Sequence, residues 1–490
     1  MHSRYAKQPV AEIFSDMSKL LGWQETDLAV LDARVDLGEV SPADFETIRD
    51  SLHKNPPDIA WWKAKDKEVN HDLNAFLEER RRFLLEHLRA LFHKGQTSYD
   101  TEEPAFARAL RKATLLVMNE LQAFHESLTA LAEAHRFTLL LDRSHGQYGK
   151  LRTFGSRVLS WKAELRDPTE DLPIAYERCG RSRISGAMGN YGVELSPEIE
   201  RLALSKLGLR PFKNATQITP RTVYAKLAQT LELISGGLTK ISLDIRLGAR
   251  SGFTIYREPF GKKQKGSSAM PHKKNPISAE QMEGMDRLVR GYVGAIVENC
   301  KTWEARAIEQ SCVERVAWPD LFDAILHMLQ AMNKVIRGLV VFPDVMLREI
   351  IDSRTTYASD EAKDFLADKL SQRGFEAEDA YRIVQLAAFL AFRPNNEWLG
   401  IRVQRPMSLE DAGQMLERAE KLPQTFVSMK SIIDRGFLSP EESLDANDAN
   451  VNRWNQGLQD LFSNPYVLGE WDNLFKPSHL LKYEHTLYEA

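Results

Sequence analysis

Long stretches of helical periodicity dominate the hydrophobic pattern of this 490-residue chain. In residues 104–136, apolar side chains recur every three or four positions, and Pro104 stands where the first turn would be. Similar patterns cover residues 219–250, 276–303 and about 314–339. A helix of ~32 residues is ~48 Å long, far beyond the usual ~12 residues. The pattern therefore predicts a bundle of long helices, and we expect other subunits to complete it.

Two prolines and one short apolar run modify this picture. A further helical pattern starts near Phe154, and we expect Pro168 and Pro173 to interrupt it, because proline cannot continue the backbone hydrogen bonds of a helix. The apolar run at residues 339–343 is the one segment that suggests a strand. The chain is therefore predicted to be all-α.

The helical pattern changes twice along the chain. Residues 1–103 carry shorter helical patterns and end in a polar turn, whereas residues 104–355 carry the long ones. Shorter patterns return in residues 356–490, which include a loop-rich piece at 393–408. Since a chain of this length ordinarily forms two to four domains, we predict three: an N-terminal helical domain, a central long-helix domain and a C-terminal helical domain.

Charge and composition exclude several classes of protein. The net charge of −4 and the pI near 6.4 argue against binding of nucleic acid by the chain as a whole. The sequence contains no run of about 18 apolar residues, so it predicts no membrane span. The three cysteines form neither a metal-spaced pair nor a disulfide framework, which favours a cytoplasmic protein. We expect no metal, because no metal-ligand motif occurs, and no nucleotide cofactor, because no dinucleotide fingerprint occurs.

The most distinctive segment is residues 264–276, which gathers adjacent serines, lysines and an asparagine. Its small and polar residues predict a loop, and its hydroxyl and ammonium groups could hold an anion. A lysine-rich loop is most often a solvated surface loop, and that explanation stands beside the functional one. A phosphate-binding Walker A loop is excluded, because Ser267 and Ser268 stand where Lys-Ser/Thr is required.

The sequence Gly-Ser-Ser-Ala-Met-Pro-His-Lys-Lys-Asn-Pro at 266–276 resembles the signature loop of the fumarase/aspartase superfamily. The form with His272 resembles that of the adenylosuccinate lyases, although bacterial carboxymuconate cycloisomerases share much of it. The resemblance implies an all-α, three-domain fold whose central long-helix bundle tetramerises. On this chain the domains would be 1–103, 104–355 with the signature loop at 258–276, and 356–490. The resemblance also implies catalysis without a cofactor.

A lyase of this superfamily removes fumarate by β-elimination, and the resemblance implies which residues do so. Ser267 would be the general base, although a serine serves as a base only where lysine charge and backbone N–H groups stabilise its oxyanion. His145 would be the general acid, since Arg143-Ser144-His145-Gly146-Gln147 resembles the Arg-Thr-His-Gly-Gln segment of the family. His71, in Asn70-His71-Asp72, would assist the acid. A helix cap is the structural alternative for that motif.

The resemblance further implies a small-molecule nucleotide substrate, adenylosuccinate, and also use of the succinylated aminoimidazole carboxamide ribotide of purine synthesis. Arginine suits the phosphate, because its planar fork matches two oxygens. In the superfamily each active site is assembled from three subunits of a homotetramer. The implied substrate-binding residues are Arg4, Tyr5, Asn70, Asp72, Thr97, Ser98, Gln217, Ser268, Lys273, Asn275, Arg306, Ser311 and Arg315.

The chain departs from the family pattern at four positions. Tyr99 replaces a hydroxyl residue, Ala305 and Ala307 replace the acidic residues beside Arg306, and Gln281 replaces an asparagine. These departures leave the elimination residues in place but bear on the purine side of the pocket. Three alternatives therefore stay open: a lyase like argininosuccinate lyase, a cycloisomerase, or an inactive structural tetramer.

Overall fold

The computed structural model describes residues 1–392, 428–438 and 448–489. Helices dominate these ranges, and the predicted all-α fold is confirmed. The loop-rich piece predicted at 393–408 lies outside the described residues. The chain forms two compact units: unit 1 comprises Met1–Ala130, Ser160–Arg250 and Tyr256–Val340, and unit 2 comprises Leu131–Leu159, Ser251–Ile255 and Val341–Ala490. The division into three domains stays a prediction.

Five helices form the beginning of unit 1: α1 (Gln8–Ile13), α2 (Asp16–Asp36), α3 (Pro42–Lys54), α4 (Ile59–Val69) and α5 (Asp72–Arg81). Polar side chains define where most of them begin. The N-cap residues of α2 and α3 are Ser15 and Ser41, and each accepts a backbone N–H bond. Trp23, Phe76 and Phe92 fill the core between these helices. The packing fixes the start of α5, where His71 lies.

Seven further helices follow: α6 (Ser98–Ala134), α7 (Phe154–Ala163), α8 (Arg166–Cys179), α9 (Pro197–Lys206), α10 (Thr222–Gly248), α11 (Ile277–Glu298) and α12 (Glu309–Arg337). Helices α10, α11 and α12 pack against one another along their length. Leu231, Leu238, Val289 and Met328 are fully buried in these helices. The long-helix bundle predicted from periodicity is thus present in unit 1.

Three helix boundaries differ from those predicted. Helix α6 begins at Ser98, six residues before Pro104, because the Asp100 carboxylate accepts the Thr97 N–H at 2.7 Å and caps the helix there. Helix α12 begins at Glu309 rather than near residue 314. The break between α7 and α8 precedes Pro168, which occupies the first turn of α8, where no intrahelical N–H bond is lost. The expectation that Pro173 interrupts the helix is wrong, since Pro173 lies inside α8.

A β-hairpin that the sequence reasoning missed connects α6 to α7. Strand β1 (Leu139–Ser144) pairs with β2 (Gln147–Thr153) in antiparallel register. The two turn residues, His145 and Gly146, have φ angles of 53° and 78°. Positive φ at both central residues is the geometry of a type I′ turn, whose twist matches that of the strands. His145 therefore lies at the tip of the hairpin.

Unit 2 is completed by α13 (Pro343–Asp352), α14 (Ser359–Ser371), α15 (Ala377–Phe392), α16 (Met429–Arg435), α17 (Asp448–Phe462), α18 (Pro465–Leu474) and α19 (Pro477–Leu480). Its core contains Leu366, Ile383 and Trp471, together with Leu141 and Leu151 of the hairpin. The stem of the hairpin is therefore part of the core of unit 2.

The remaining strands have two residues each: β3 (Arg181–Ser182), β4 (Arg210–Pro211), β5 (Ala249–Arg250), β6 (Phe253–Thr254), β7 (Tyr256–Arg257) and β8 (Val340–Val341). Strand β8 lies within the apolar run at 339–343 that suggested a strand. Among the helices of the described ranges, none has the length and apolar character needed to cross a membrane.

Candidate active site

The signature loop lies in unit 1 and is anchored at both ends. At its start, the Glu258 carboxylate accepts the backbone N–H groups of Ser278 at 3.1 Å and Ala279 at 2.6 Å, in the first turn of α11. Near its end, Asn275 Nδ2 donates to the Gly266 carbonyl at 3.1 Å. A carboxylate at a helix N-terminus satisfies N–H groups that have no intrahelical partner. These bonds hold the two ends of the loop to each other and to α11.

Ser267 lies in this loop with its hydroxyl oxygen facing two backbone donors. Ser267 Oγ accepts the N–H of Met270 at 3.0 Å and that of Ala269 at 3.3 Å. Such contacts also occur in ordinary serine turns. Donors directed at a hydroxyl oxygen favour its deprotonated form, however, which is the condition that a serine base requires. Ser268 and Lys273 are exposed beside it, as expected for groups that meet a ligand.

Two glycines of the loop differ in the space around them. A Cβ added at Gly266 would lie 2.0 Å from the Lys273 carbonyl oxygen, whereas the nearest atom to one at Gly261 would be 3.7 Å away. Only glycine fits at position 266, because the two sides of the loop touch there. The contact between Gly266 and Lys273 therefore closes the base of the loop, and Ser267 lies next to this contact.

His145 is exposed at the tip of the β1–β2 hairpin in unit 2. Two residues earlier, Arg143 Nη2 is 2.7 Å from Glu349 Oε1. The Arg143 guanidinium also lies 3.9 Å from the centre of the Phe253 ring and 4.8 Å from that of Tyr148. An arginine that both stacks and forms an ion pair has little rotational freedom. These contacts fix the strand from which the turn bearing His145 projects.

The Asn70-His71-Asp72 motif joins α4 to α5, and its structural alternative, a helix cap, is also realised. Asn70 ends α4 with φ 53°, and His71 Nδ1 accepts the Asn74 N–H at 3.3 Å as the N-cap of α5. Since a backbone N–H can only donate, Nδ1 is the acceptor nitrogen. The neutral imidazole then carries its proton on Nε2. His71 is exposed, so that this N–H is available to a ligand.

Asp72 connects this motif to α12. Its Oδ2 is 2.7 Å from Arg315 Nη2 and 4.0 Å from Lys19 Nζ. Arg315 and Ser311 border a cavity of about 260 Å³. The other residues lining the cavity are Ile13, Phe14, Asp16, Ser18, Lys19, Trp23, Tyr99, Glu102, Glu103, Ala105, Phe106, Ala109, Arg221, Glu314 and Pro319. The motif predicted at the start of α5 and the one on α12 therefore meet.

Lys19 and Glu102 are charged residues of this cavity that the sequence reasoning missed. Burial raises the pKa of the Glu102 carboxyl to about 8, and the neighbouring Asp72 charge acts in the same direction. Burial lowers the pKa of Lys19, although the Asp72 carboxylate opposes this. One signal existed for Glu102, which lies one helical turn after Ser98 on α6. No motif marked Lys19.

Gln217, Arg306 and Tyr99 form a second cluster in unit 1. Arg306 Nη1 donates to Gln217 Oε1 at 3.1 Å, and its guanidinium lies 3.8 Å from the centre of the Tyr99 ring. The Tyr99 hydroxyl accepts from Gln310 Nε2 at 3.2 Å, and burial raises its pKa. The bulky phenol at position 99 is therefore a platform on which Arg306 stacks.

The remaining predicted substrate-binding residues lie at the start of α6 or beside α12. Thr97 immediately precedes α6 and Ser98 is its first residue. The ring of Tyr5 packs edge-on against His327 of α12 at 4.9 Å. His327 is 12 residues beyond Arg315, ~18 Å along the helix. Arg4 is exposed next to Tyr5. Tyr5 therefore contacts α12 at a different height along the helix from Arg315.

The three catalytic candidates thus lie on three separate segments: Ser267 in the signature loop, His71 at the start of α5, and His145 at the hairpin tip. The structure brings Asp72 to Arg315 and Gln217 to Arg306, and it holds Asn275 against the base of the loop that carries Ser267. His145 belongs to unit 2 and the others to unit 1. Each segment is exposed in the single chain.

Within the described ranges, histidine, cysteine and carboxylate side chains form no group of three that could hold a metal ion. The three cysteines are free: Cys179 is buried, while Cys300 and Cys312 are exposed. Burial raises the pKa of the Cys179 thiol to about 12, which makes it a poor nucleophile.

Several known proteins have sequences similar to that of this chain. A protein family described as lyase matches residues 46–291. The adenylosuccinate lyase of Thermotoga maritima is 33% identical over 399 residues, which cover 81% of this chain and 90% of that one. The chain belongs to the adenylosuccinate lyase family. The Aquifex aeolicus and Bacillus subtilis members of this family are 33% and 32% identical, over 83% and 80% of the chain.

Solved structures show the same fold at lower identity. A fumarate lyase from Mesorhizobium sp. BNC1 has a TM-score of 0.73 and 21% identity, and the match covers 97% of this chain and 99% of that one. The 3-carboxy-cis,cis-muconate lactonizing enzyme from Pseudomonas putida has a TM-score of 0.71 and 18% identity. These likenesses establish the fumarase-like fold. Membership of the adenylosuccinate lyase family makes the protein a carbon–nitrogen lyase.

The two glycines of the signature loop give a matched test of its geometry. We expect Gly266→Ala to reduce lyase turnover by at least about 10-fold, because the added Cβ must push the base of the loop apart and displace Ser267. The free energy of unfolding should change by less than about 1 kcal/mol, since the loop is exposed. Gly261→Ala is the control and should behave as wild type. Equal activity of the two variants would show that the closed base is not required.

Proposed function

We propose that the protein is an adenylosuccinate lyase that releases fumarate from adenylosuccinate to give AMP, and also from the succinylated aminoimidazole carboxamide ribotide of purine synthesis. The observation that carries this proposal is Ser267 Oγ held by two backbone N–H groups in the signature loop. The names of the curated relatives support the same substrate. We place the reaction in the cytoplasm, where three free cysteines stay reduced.

In this proposal Ser267 removes a proton from the carbon next to a substrate carboxylate. The electron pair of that C–H bond forms the double bond of fumarate, and the C–N bond breaks with its electron pair on nitrogen. His145 then donates a proton to the departing nitrogen. Negative charge builds on the carboxylate during the reaction, and Ser268, Lys273 and Asn275 would stabilise it. Their common location in one anchored loop supports this assignment.

His71 and the cationic residues would bind and orient the nucleotide. With Nδ1 occupied by the Asn74 N–H, the Nε2–H of His71 is free to donate to the substrate or to the group beside the acid. Arg315 and Ser311, which border the same cavity, suit a phosphate. Arg4 and Tyr5 would also contact the nucleotide. The other proposed substrate-binding residues are Thr97, Ser98, Asn70, Gln217 and Arg306.

We further propose that the protein is a homotetramer whose active sites are shared between subunits. The faces of α10 and α11 support this. On α10, Leu233, Leu243 and Leu247 are exposed at helical spacing, and on α11 Leu288 is exposed between Gly284 and Gly291. No atom would lie within 4 Å of a Cβ added at either glycine. An apolar stripe with small residues is suited to close packing against helices of other copies.

Replacement of the proposed base tests the function. The purified protein should release fumarate and AMP from adenylosuccinate, and Ser267→Ala should lose at least about 10²-fold in kcat, because general base catalysis contributes on that scale. Fumarate can be followed by its ultraviolet absorbance. Ser268→Ala, at the adjacent hydroxyl, should lower kcat less than Ser267→Ala does, because Lys273 and Asn275 still stabilise the charge on the carboxylate. Equal rates for Ser267→Ala and wild type would refute the assignment of the base. A folded wild type that acts only on another succinylated amine or on a muconate would refute the proposed substrate.

A charge on the apolar stripe tests the assembly. Leu233 on α10 is 55% exposed and Leu347 on α13 is 50% exposed. The two leucines are thus similarly exposed, but only Leu233 belongs to the apolar stripe. We expect Leu233→Glu to shift the protein from tetramer to smaller species in sedimentation velocity, with a parallel loss of activity, because an interface cannot bury an unpaired carboxylate. Leu347→Glu should remain tetrameric. Identical masses for both variants would exclude this face as the interface.

A further inference from the structure

The last described residues of the chain contact the stem of the β1–β2 hairpin. A 3-10 turn, Glu484–Tyr488, lies against the end of β2. Glu484 Oε1 accepts two bonds from Thr153, one from the backbone N–H at 2.8 Å and one from the hydroxyl at 3.0 Å. Thr153 is only 3% exposed. A carboxylate that accepts two bonds in a partly buried setting is a strong contact, and its loss removes the acceptor of the buried Thr153 N–H.

Tyr488 fits against the same place. Its hydroxyl lies 3.4 Å from Thr153 Oγ1, and the guanidinium of Arg136 lies 4.6 Å from the centre of its ring. A Cβ added at Gly155, in the first turn of α7, would be 2.1 Å from the Tyr488 hydroxyl oxygen. The tyrosine therefore occupies space that only a glycine at position 155 leaves open. The turn Glu484–Tyr488 is fitted to the hairpin stem by shape as well as by hydrogen bonds.

The contact continues along the hairpin toward its tip. Arg152, the neighbour of Thr153, donates through Nη1 to Asp142 Oδ2 at 3.0 Å, and Arg157 also pairs with Asp142. Asp142 Oδ1 in turn accepts the Arg143 N–H at 2.8 Å. Burial lowers the pKa of Arg152 and the Glu484 charge acts in the opposite sense, so Glu484 also stabilises the arginine cation. Partly buried charges and hydrogen bonds thus join the turn to a residue three positions before His145.

Asp142 lies at an irregularity in the hairpin. Leu141 pairs with Leu151 and Arg143 pairs with Tyr148, so that two residues of β2 stand opposite Asp142 alone. A bulge of this kind changes the direction of the strands and re-aims the residues beyond it. The orientation of the tip therefore depends on how Asp142 is held, and Arg152 and Arg157 hold it.

We propose that the carboxy-terminal turn is a positioning element for His145, in which Glu484 and Tyr488 are positioning residues that act through Thr153, Arg152 and Asp142. The proposal rests on the proposed function, in which His145 protonates the leaving nitrogen. Its consequence is that the turn Glu484–Tyr488 must be folded for the hairpin to present the acid correctly. None of the proposed substrate-binding residues lies in this turn, so its loss should change the rate of the chemical step and not the binding of the nucleotide.

Three variants test this positioning role. Glu484→Ala removes both acceptor contacts, and we expect kcat for fumarate release to fall by about 10-fold with KM within about twofold of wild type. Glu484→Gln keeps an acceptor oxygen for Thr153 and should recover most of the rate. Glu489→Ala removes a carboxylate from an exposed residue just beyond the turn and should behave as wild type. Wild-type kcat in Glu484→Ala, or a rise in KM that Glu484→Gln does not reverse, would overturn the proposal.

Hydrogen–deuterium exchange of the same variants provides a readout that does not depend on activity. Amides of residues 139–153 should exchange faster in Glu484→Ala than in Glu489→Ala, while amides of α10 and α11 should be unchanged. Unchanged hairpin exchange would overturn the proposal even if activity fell. If the wild type released no fumarate from adenylosuccinate, the proposed function would fail. Faster hairpin exchange in Glu484→Ala would then still establish the contact, while the role assigned to His145 would be lost.

Discussion

The proposed elimination depends on making the Ser267 hydroxyl basic, and the backbone of the signature loop supplies donors for that purpose. Backbone N–H groups of residues 269 and 270 face Ser267 Oγ, and they can do so only if the loop keeps its shape. Gly266 permits the close approach of its two sides, and Glu258 ties the loop to the first turn of α11. The long helices thus serve as rigid supports for a short exposed segment.

Buried charges fix the other supports. Arg221 donates to Glu103 of α6 at 2.8 Å and to Glu314 of α12 at 3.2 Å, and burial raises the pKa of Glu314 to about 7. Removal of one partner from such a group would leave a buried charge unpaired, which costs several kcal/mol. The network holds together the helices that carry Ser98 and Ser311. The same helices border the cavity that contains Glu102 and Lys19.

Sequence periodicity predicted the long helices well, because an apolar stripe every 3.6 residues directly reflects the face that packs. It missed the hairpin, since His145-Gly146 is a less common turn pair than Asn-Gly and the strand residues 139–141 are equally consistent with a buried helix. Motif resemblance predicted Ser267, His71 and Arg315 as site residues but gave no signal for Lys19, whose place in the cavity depends on a tertiary contact with Asp72. Such contacts between distant segments have no local sequence signal.

In the proposed homotetramer, each active site combines segments of different subunits. Mixing two inactive variants, Ser267→Ala and His145→Gln, under conditions that allow subunits to exchange would test this arrangement. If each site takes its serine and its histidine from different subunits, an equal mixture should regain about a quarter of wild-type activity, since about one site in four receives both intact residues. If one subunit supplied both residues, every site would lack one of them. Mixtures that stayed inactive after proven subunit exchange would rule out active sites that take Ser267 and His145 from different subunits.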